Sequence, residues 1–362
     1  MLEQLDIFNF IDEKQNTYKI KNKIRLIELF AGIGSQAKAL KRIGADFEHY
    51  KVVEFDKYAI ASYNAIHNTN FTTQDITQIK GNELEITDTD KYTYIMTYSF
   101  PCQDLSLAGK QKGMSKGSST RSGLLWEVER LLNETKELPQ ILLMENVPQV
   151  HSNKNIVDFD KWIEFLQSKG YSNFWQDLNA KDYGIPQSRN RTFMVSIKGS
   201  YDYIFPNPFE LKLRLKDMLE NEVEAKWYLS VEQKDNIKKS SYVQKQRRVQ
   251  RKDVCDTLCA RDWKDPKIIV LGNYSPSNHN ASRIVDSNGI APTVMENHGT
   301  VTAIIDDDIQ RKLTPCEYWR LMGFDDEDFE KASKVNSNAQ LYKQAGNSIV
   351  VNVLEAIFKE LL

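Results

Sequence analysis

From residue 24 to about residue 197 the chain alternates short apolar runs with amphipathic stretches. "IRLIELF" reads as a buried strand, and "SQAKALKRI" as a helix with apolar positions three and four apart. "YKVVEFD" predicts a second strand and "KYAIASYNAIH" a second helix. "YTYIMTYS" is another strand, followed by the amphipathic helix "GLLWEVERLLNET". "QILLMENV" is a strand again, "FDKWIEFLQSKG" a helix stopped by glycine, and "RTFMVSI" a last strand. Strands that alternate with helices need crossover connections. They predict an α/β fold, Rossmann-like, with a mostly parallel sheet and helices on both faces.

Near residue 198 the texture changes. "FPNPF", "GNYSPSNHNAS" and "DSNGIAP" bring prolines, asparagines and turns, and predict a smaller loop-rich unit. Helical periodicity returns after residue 309 in "TPCEYWRLMG" and "SIVVNVLEAIFKEL". Thr314 is placed to cap the first of these, with Pro315 at its first position and Glu317 completing a capping box. The expected organisation is an N-terminal extension over 1–23, a main unit over 24–197, a smaller unit over 198–308, and a C-terminal segment over 309–362 that returns to the main unit.

Composition changes this picture little. Of 362 residues, 41% are hydrophobic and 27% charged, ordinary for a globular chain. No run reaches the length of a membrane span, and the N-terminus lacks a signal-peptide layout, so a cytoplasmic protein is expected. Cys102, Cys255, Cys259 and Cys316 are too scattered for a disulfide framework. Cys255 and Cys259 lack a second ligand pair, so no metal is expected. The net charge of −2 hides one basic run, in which Lys234, Lys238, Lys239, Lys245, Arg247, Arg248, Arg251 and Lys252 face only Asp235.

Candidate chemistry starts at "FAGIGSQA", between the first strand and the first helix. Gly32, Gly34 and Ala37 fit G-x-G-x-x-A, and Glu54 and Asp56 follow about twenty residues on. The geometry suits any adenosine-containing cofactor and does not choose between a nicotinamide dinucleotide and S-adenosylmethionine. Cys102 in "SFPCQDLSLAGKQKG" leaves the third strand, and Glu145 in "MENVP" leaves the fourth. In an open parallel sheet these ends surround one crevice. "YGIPQSRNR" adds Arg189 and Arg191, which share a face if extended. A thiolate, a carboxylic acid and an arginine beside an activated methyl group suit attack on carbon 6 of cytosine. The acid would sit at ring nitrogen 3 and the arginine at the ring carbonyl.

At these residues the sequence resembles the cytosine-5 DNA methyltransferases, over nearly the whole chain and in the family's order. "FAGIG" is similar to the cofactor loop, "EFDKYA" to the ribose-binding segment, "QDIT" to the adenine-contacting turn, "PCQ" to the nucleophile motif, "ENV" to the acid motif and "QSRNR" to the arginine motif. "QAGNSIVVNV" resembles the segment that closes the cofactor pocket. The resemblance implies Cys102, Glu145, Arg191 and Arg189 as catalytic residues. It implies that S-adenosylmethionine is bound by Phe30, Ala31, Gly32, Gly34, Glu54, Phe55, Asp75, Ile76, Pro101, Leu124, Asn347, Ser348 and Ile349. It also implies base flipping, a loop from Gln103 to about Ser122 that closes over DNA, and a target-recognition domain in the loop-rich region.

DNA contacts are then expected from Gln103, Ser106, Arg121 and Gln187, from the basic residues Lys245, Arg247, Arg248 and Arg251, and from Arg283 and Thr293. The Thr293-Val294 pair stands where the family carries Thr-Leu, and Asp104 departs from the small or polar residue frequent after "PCQ". "PCQDLSLAG" differs from the loop of relatives that modify transfer RNA, so double-stranded DNA is the expected substrate. The implied enzyme is a monomer with no membrane association. A cognate restriction endonuclease, where one exists, would act separately.

Overall fold

The computed structural model describes residues 16–105, 112–118, 120–239, 268–276, 280–296, 301–306 and 309–362. Its central feature is a sheet in the order β2-β1-β3-β4-β7-β5, formed by β1 (Ile24–Leu29), β2 (Phe47–Val53), β3 (Thr93–Tyr98), β4 (Ile141–Asn146), β5 (Tyr171–Asn179) and β7 (Asn190–Lys198). β2, β1, β3 and β4 are mutually parallel. Every residue of β3 and β4 is buried, as expected for strands covered on both faces.

β7 runs antiparallel to both of its neighbours, so the sheet is parallel only in its first four strands. The strand expected at "RTFMVSI" is present, and its direction differs from the rest. β5, at the sheet edge, has no counterpart among the predicted strands. Its sequence "YSNFWQDLN" mixes polar and aromatic residues, and most of it is only half buried, so it lacks the alternation that marks a strand.

The two faces of the sheet carry separate cores. Ile24 and Leu26 pack with the C-terminal helices, whereas Ile27 and Leu29 pack with the helices that follow β3 and β4. α1 (Ser35–Arg42), α6 (Pro315–Arg320), α7 (Asp326–Ser333), α8 (Asn338–Asn347) and α9 (Val351–Lys359) contribute to the first face. α3 (Leu125–Glu134) and α4 (Ile156–Ser168) cover the second. α2 (Lys57–His67) follows β2, and α5 (Val231–Lys239) lies in the smaller unit. The return of the chain is fastened by Lys38 of α1, whose nearly buried ammonium lies 2.6 Å from both Asp325 and Asp328. The predicted capping box is formed: Thr314 accepts from the Glu317 amide at 3.2 Å, and Glu317 accepts from the Thr314 amide at 2.8 Å.

The smaller unit holds a sheet in the order β12-β11-β9-β8, from β8 (Val270–Asn273), β9 (Arg283–Asp286), β11 (Ala303–Asp306) and β12 (Ile309–Lys312). The β11–β12 hairpin straddles the boundary expected at residue 308. A short parallel pair, β6 (Gln187–Ser188) with β10 (Ala291–Pro292), joins this unit to the main one. Among the described residues no helix is long and apolar enough to cross a membrane.

Candidate active site

Sheet register brings the three chemical motifs to one edge. Tyr98 of β3 pairs with Met144 of β4, and Glu145 pairs with Phe193 of β7. Cys102 is four residues beyond the end of β3, Glu145 is one residue beyond Met144, and Arg191 is the second residue of β7. Arg191 Nε lies 3.3 Å from Glu145 Oε1. Asn146 donates from Nδ2 to the Phe100 carbonyl at 3.0 Å, bracing the turn that carries Pro101 and Cys102. The Pro101 carbonyl also accepts from Ser122 Oγ at 2.6 Å. Asn146 and Ser122 had no assigned role in the sequence. Their function as braces depends on carbonyls far away in the chain.

The electrostatics follow from this crowding. Burial pushes the Cys102 thiol up from its ordinary value, and Arg191 is the strongest opposing influence. Glu145 pushes the thiol further up, and Arg189 pulls it down. Burial likewise raises the Glu145 carboxyl, against Arg191 and then Arg189. A carboxyl group and a thiol, both pushed up by burial and both pulled down by the same two arginines, therefore share this edge.

Arg189 has a different task from Arg191. Its guanidinium is buried and donates to three main-chain carbonyls: Val294 at 2.9 Å, Gly346 at 2.9 Å and Ser348 at 2.8 Å. Burial and then Arg191 push its pKa down, while Glu145 and then Cys102 push it up. Expected as a catalytic residue, Arg189 is held by main-chain carbonyls and still acts on Cys102 and Glu145 through its charge. It clamps the end of the smaller unit to the segment 346–348. Gln187, expected as a DNA contact, is held in a similar way. It is fully buried, donates to the Leu321 carbonyl at 2.7 Å and accepts from the Val294 amide at 3.0 Å. Thr293 spends its hydroxyl on the Ser188 carbonyl at 2.6 Å, so its hydroxyl proton is not free for DNA. Replacing Arg189 with Met should orphan three buried carbonyls and lower stability by about 3 kcal/mol in urea denaturation, with Arg189→Lys restoring part. An unchanged midpoint would remove the clamp.

The glycine loop lies at the same edge. Phe30, Gly32 and Gly34 all take left-handed backbone conformations, with φ of 57°, 56° and 80°. Gly32 faces open space where a Cβ would point, and its N–H donates to Glu54 Oε2 at 2.9 Å. Glu54 Oε1 accepts from the Asp56 amide at 2.8 Å, so the carboxylate is fixed at the end of β2. Burial raises the Glu54 carboxyl, against those two amides. Beside it Phe55 is 77% exposed, a large aromatic that folding does not cover. A pinned carboxylate suits ribose hydroxyls, and an uncovered ring suits a planar heteroaromatic base, so this edge fits an adenosine-containing cofactor.

Ala31 and Ile76 are buried nearby, and the exposed Asp75 accepts from the Thr77 amide and hydroxyl, both at 2.9 Å. Leu124 packs half-buried on the second core. Asn347 is exposed, while Ser348 and Ile349 are buried at the end of α8.

Gln103 and Arg121, both expected to contact DNA, are exposed and bonded to each other at 2.5 Å. Asp104, the departure after "PCQ", accepts from the Arg121 amide at 2.8 Å and so closes the base of the loop. Arg283 opens β9 and donates to Asn280 at 2.7 Å. Ser106, Lys245, Arg247, Arg248 and Arg251 lie outside the described residues, as do Cys255 and Cys259.

A family model described as C-5 cytosine-specific DNA methylase matches residues 24–362. The chain is 33% identical to the type II methyltransferase M2.ScrFI of Lactococcus lactis subsp. cremoris, over 93% of this chain and 99% of that one. It is 31% identical to the orphan methyltransferase M.SssI of Spiroplasma monobiae, over 95% and 99%. Among solved structures, the Entamoeba histolytica methyltransferase EhMeth shares the fold. Its TM-score is 0.69 at 16% identity, covering 94% of this chain and 98% of that one.

Proposed function

The chain belongs to the C-5 cytosine-specific DNA methylase family, and from that premise we propose that Cys102, Glu145 and Arg191 carry out the methyl transfer. The enzyme is a DNA (cytosine-5-)-methyltransferase, and S-adenosylmethionine supplies the electrophilic methyl group. Cys102, as thiolate, adds to carbon 6 of a cytosine turned out of the duplex. The addition breaks the 5,6 double bond, makes carbon 5 nucleophilic and pushes electrons onto ring nitrogen 3. Glu145, whose hold on its proton burial strengthens, carries that proton at the ring nitrogen. Arg191 stabilises charge on the ring carbonyl and favours the thiolate. The observation that carries this reading is the Arg191–Glu145 contact of 3.3 Å beside a thiol that both groups influence.

Gly32, Gly34, Glu54, Phe55, Asp75, Ile76 and the segment 347–349 would hold the cofactor. Residues 198–308 form the target-recognition unit in this reading, and the basic run beginning at Lys234 supplies its phosphate contacts. The enzyme acts as a cytoplasmic monomer on duplex DNA, and any cognate endonuclease is a separate protein. Transfer of labelled methyl groups to duplex DNA, with bisulfite sequencing of a randomised library, tests the reading. No transfer to cytosine would overturn it. In the same library Arg283→Ala should relax one base of the site, a contact worth about 1–3 kcal/mol, and leave the salt slope intact. Changing Lys245, Arg247, Arg248 and Arg251 together to Gln should weaken binding to all sequences and lower the slope by roughly 0.9 per lost contact.

A further inference from the structure

Beneath the glycine loop lies a buried polar cluster that the transfer chemistry does not use. Glu28 of β1 is fully buried. Its carboxyl group accepts from the Tyr63 hydroxyl at 2.5 Å and more distantly from the Ala37 amide at 3.4 Å. Tyr63, on α2, is also fully buried, and its oxygen lies 2.7 Å from His49 Nδ1. With Glu28 ionised, the Tyr63 proton goes to the carboxylate and His49 donates to the Tyr63 oxygen.

His67 stands four residues after Tyr63, on the same face of α2. Its Nε2 lies 3.1 Å from the carbonyl of Ile33, the residue between Gly32 and Gly34. A carbonyl only accepts, so Nε2 carries the proton. The His67 ring packs against Tyr63 with centroids 4.6 Å apart, and against His49 at 5.1 Å. Burial lowers the His67 pKa to about 3, so the ring is a neutral donor. The loop rests directly on this pair. A Cβ on Gly34 would stand 2.3 Å from His67 Nε2 and 2.7 Å from Tyr63 Cε2.

We propose that His67, supported by Tyr63, Glu28 and His49, is a positioning residue for S-adenosylmethionine, holding the Ile33 carbonyl so that the loop keeps its left-handed glycines. None of the four needs to touch the cofactor. The inference rests on the reading that the glycine loop binds it. Apolar side chains could fill this volume without burying a carboxyl group, but they would leave the Ile33 carbonyl unheld.

The test is equilibrium binding of S-adenosylmethionine to the full chain without DNA, with thermal melts of each variant. His67→Leu should weaken binding about tenfold, the effect of losing one well-placed hydrogen bond. His67→Gln, which keeps a donor, should recover most of it. Tyr63→Phe should weaken binding about threefold, because the support and not the donor is lost. DNA affinity should stay within about twofold for all three, since the cluster carries no DNA contact. A lowered melt with unchanged cofactor affinity in His67→Leu would make the cluster merely structural and overturn the proposal. Phe55→Ala separates the two levels. If it weakens cofactor binding and His67→Leu does not, only this inference fails. If neither does, the reading of the loop as the cofactor site fails with it.

Discussion

Cys102→Ala will abolish methylation, by on the order of 10,000-fold or more, while DNA binding persists. The same variant will fail to form the covalent complex that the native enzyme makes with duplex DNA carrying 5-fluorocytosine at its target. The reason lies in the order of bonds. Sulfur bonds to carbon 6 before carbon 5 accepts the methyl group, and the adduct is released only when the carbon 5 substituent leaves as a proton. Fluorine cannot leave in that way, so the native adduct persists through gel electrophoresis. The thiol is raised by burial, with Arg191 the strongest influence in the other direction. Activity of the native enzyme should therefore climb with pH as the thiol ionises. Arg191→Met removes the main cationic help and should move that limb to higher pH, besides lowering the rate. A Cys102→Ala enzyme that still traps fluorinated DNA would place the nucleophile elsewhere.

The parts of this site that were legible in the sequence are those whose chemistry is local. "FAGIG" requires left-handed glycines after a strand, and "PCQ" and "ENV" each end a buried apolar run, so parallel register alone brings Cys102 and Glu145 together. The family model over 24–362 closes the choice between a nicotinamide dinucleotide and S-adenosylmethionine that the glycine loop left open. Partnership over distance was not legible. Arg189 and Gln187 look like ligand-facing residues because arginine and glutamine are usually exposed. Their carbonyl and amide partners, at Val294, Leu321, Gly346 and Ser348, are more than a hundred residues away. Gly346 belongs to the same junction. A Cβ there would stand 2.2 Å from the Glu296 nitrogen, a close approach that "QAGNS" alone does not announce. β5 escaped for a simpler reason: an edge strand needs one good neighbour, and its half-exposed residues carry no clear period.

Glu145→Gln should separate catalysis from stability, in opposite directions. The amide keeps the shape of the side chain but has no acidic proton for ring nitrogen 3. Turnover should fall on the order of 100-fold or more, within the usual range for acid–base groups, with little change in DNA affinity. Stability should move the other way near neutral pH. Burial raises the folded-state pKa of Glu145 above 4.5, and Arg191 and Arg189 only partly reverse that. A carboxyl raised in this way binds its proton more tightly when folded than when unfolded. Its contribution is fully present below the unfolded pKa and is lost as pH rises through the folded one. The native enzyme should thus lose stability across a window that opens near 4.5 and closes above the raised value. The glutamine variant, with nothing to titrate there, should not. Thermal melts at pH 4, 6 and 8 should show the variant gaining on the native enzyme as pH rises. A variant destabilised equally at every pH would mean that pairing with Arg191 outweighs burial, and unaltered turnover would remove Glu145 from the reaction. The expected pair of results, slower and more stable, is what a buried acid kept for chemistry predicts.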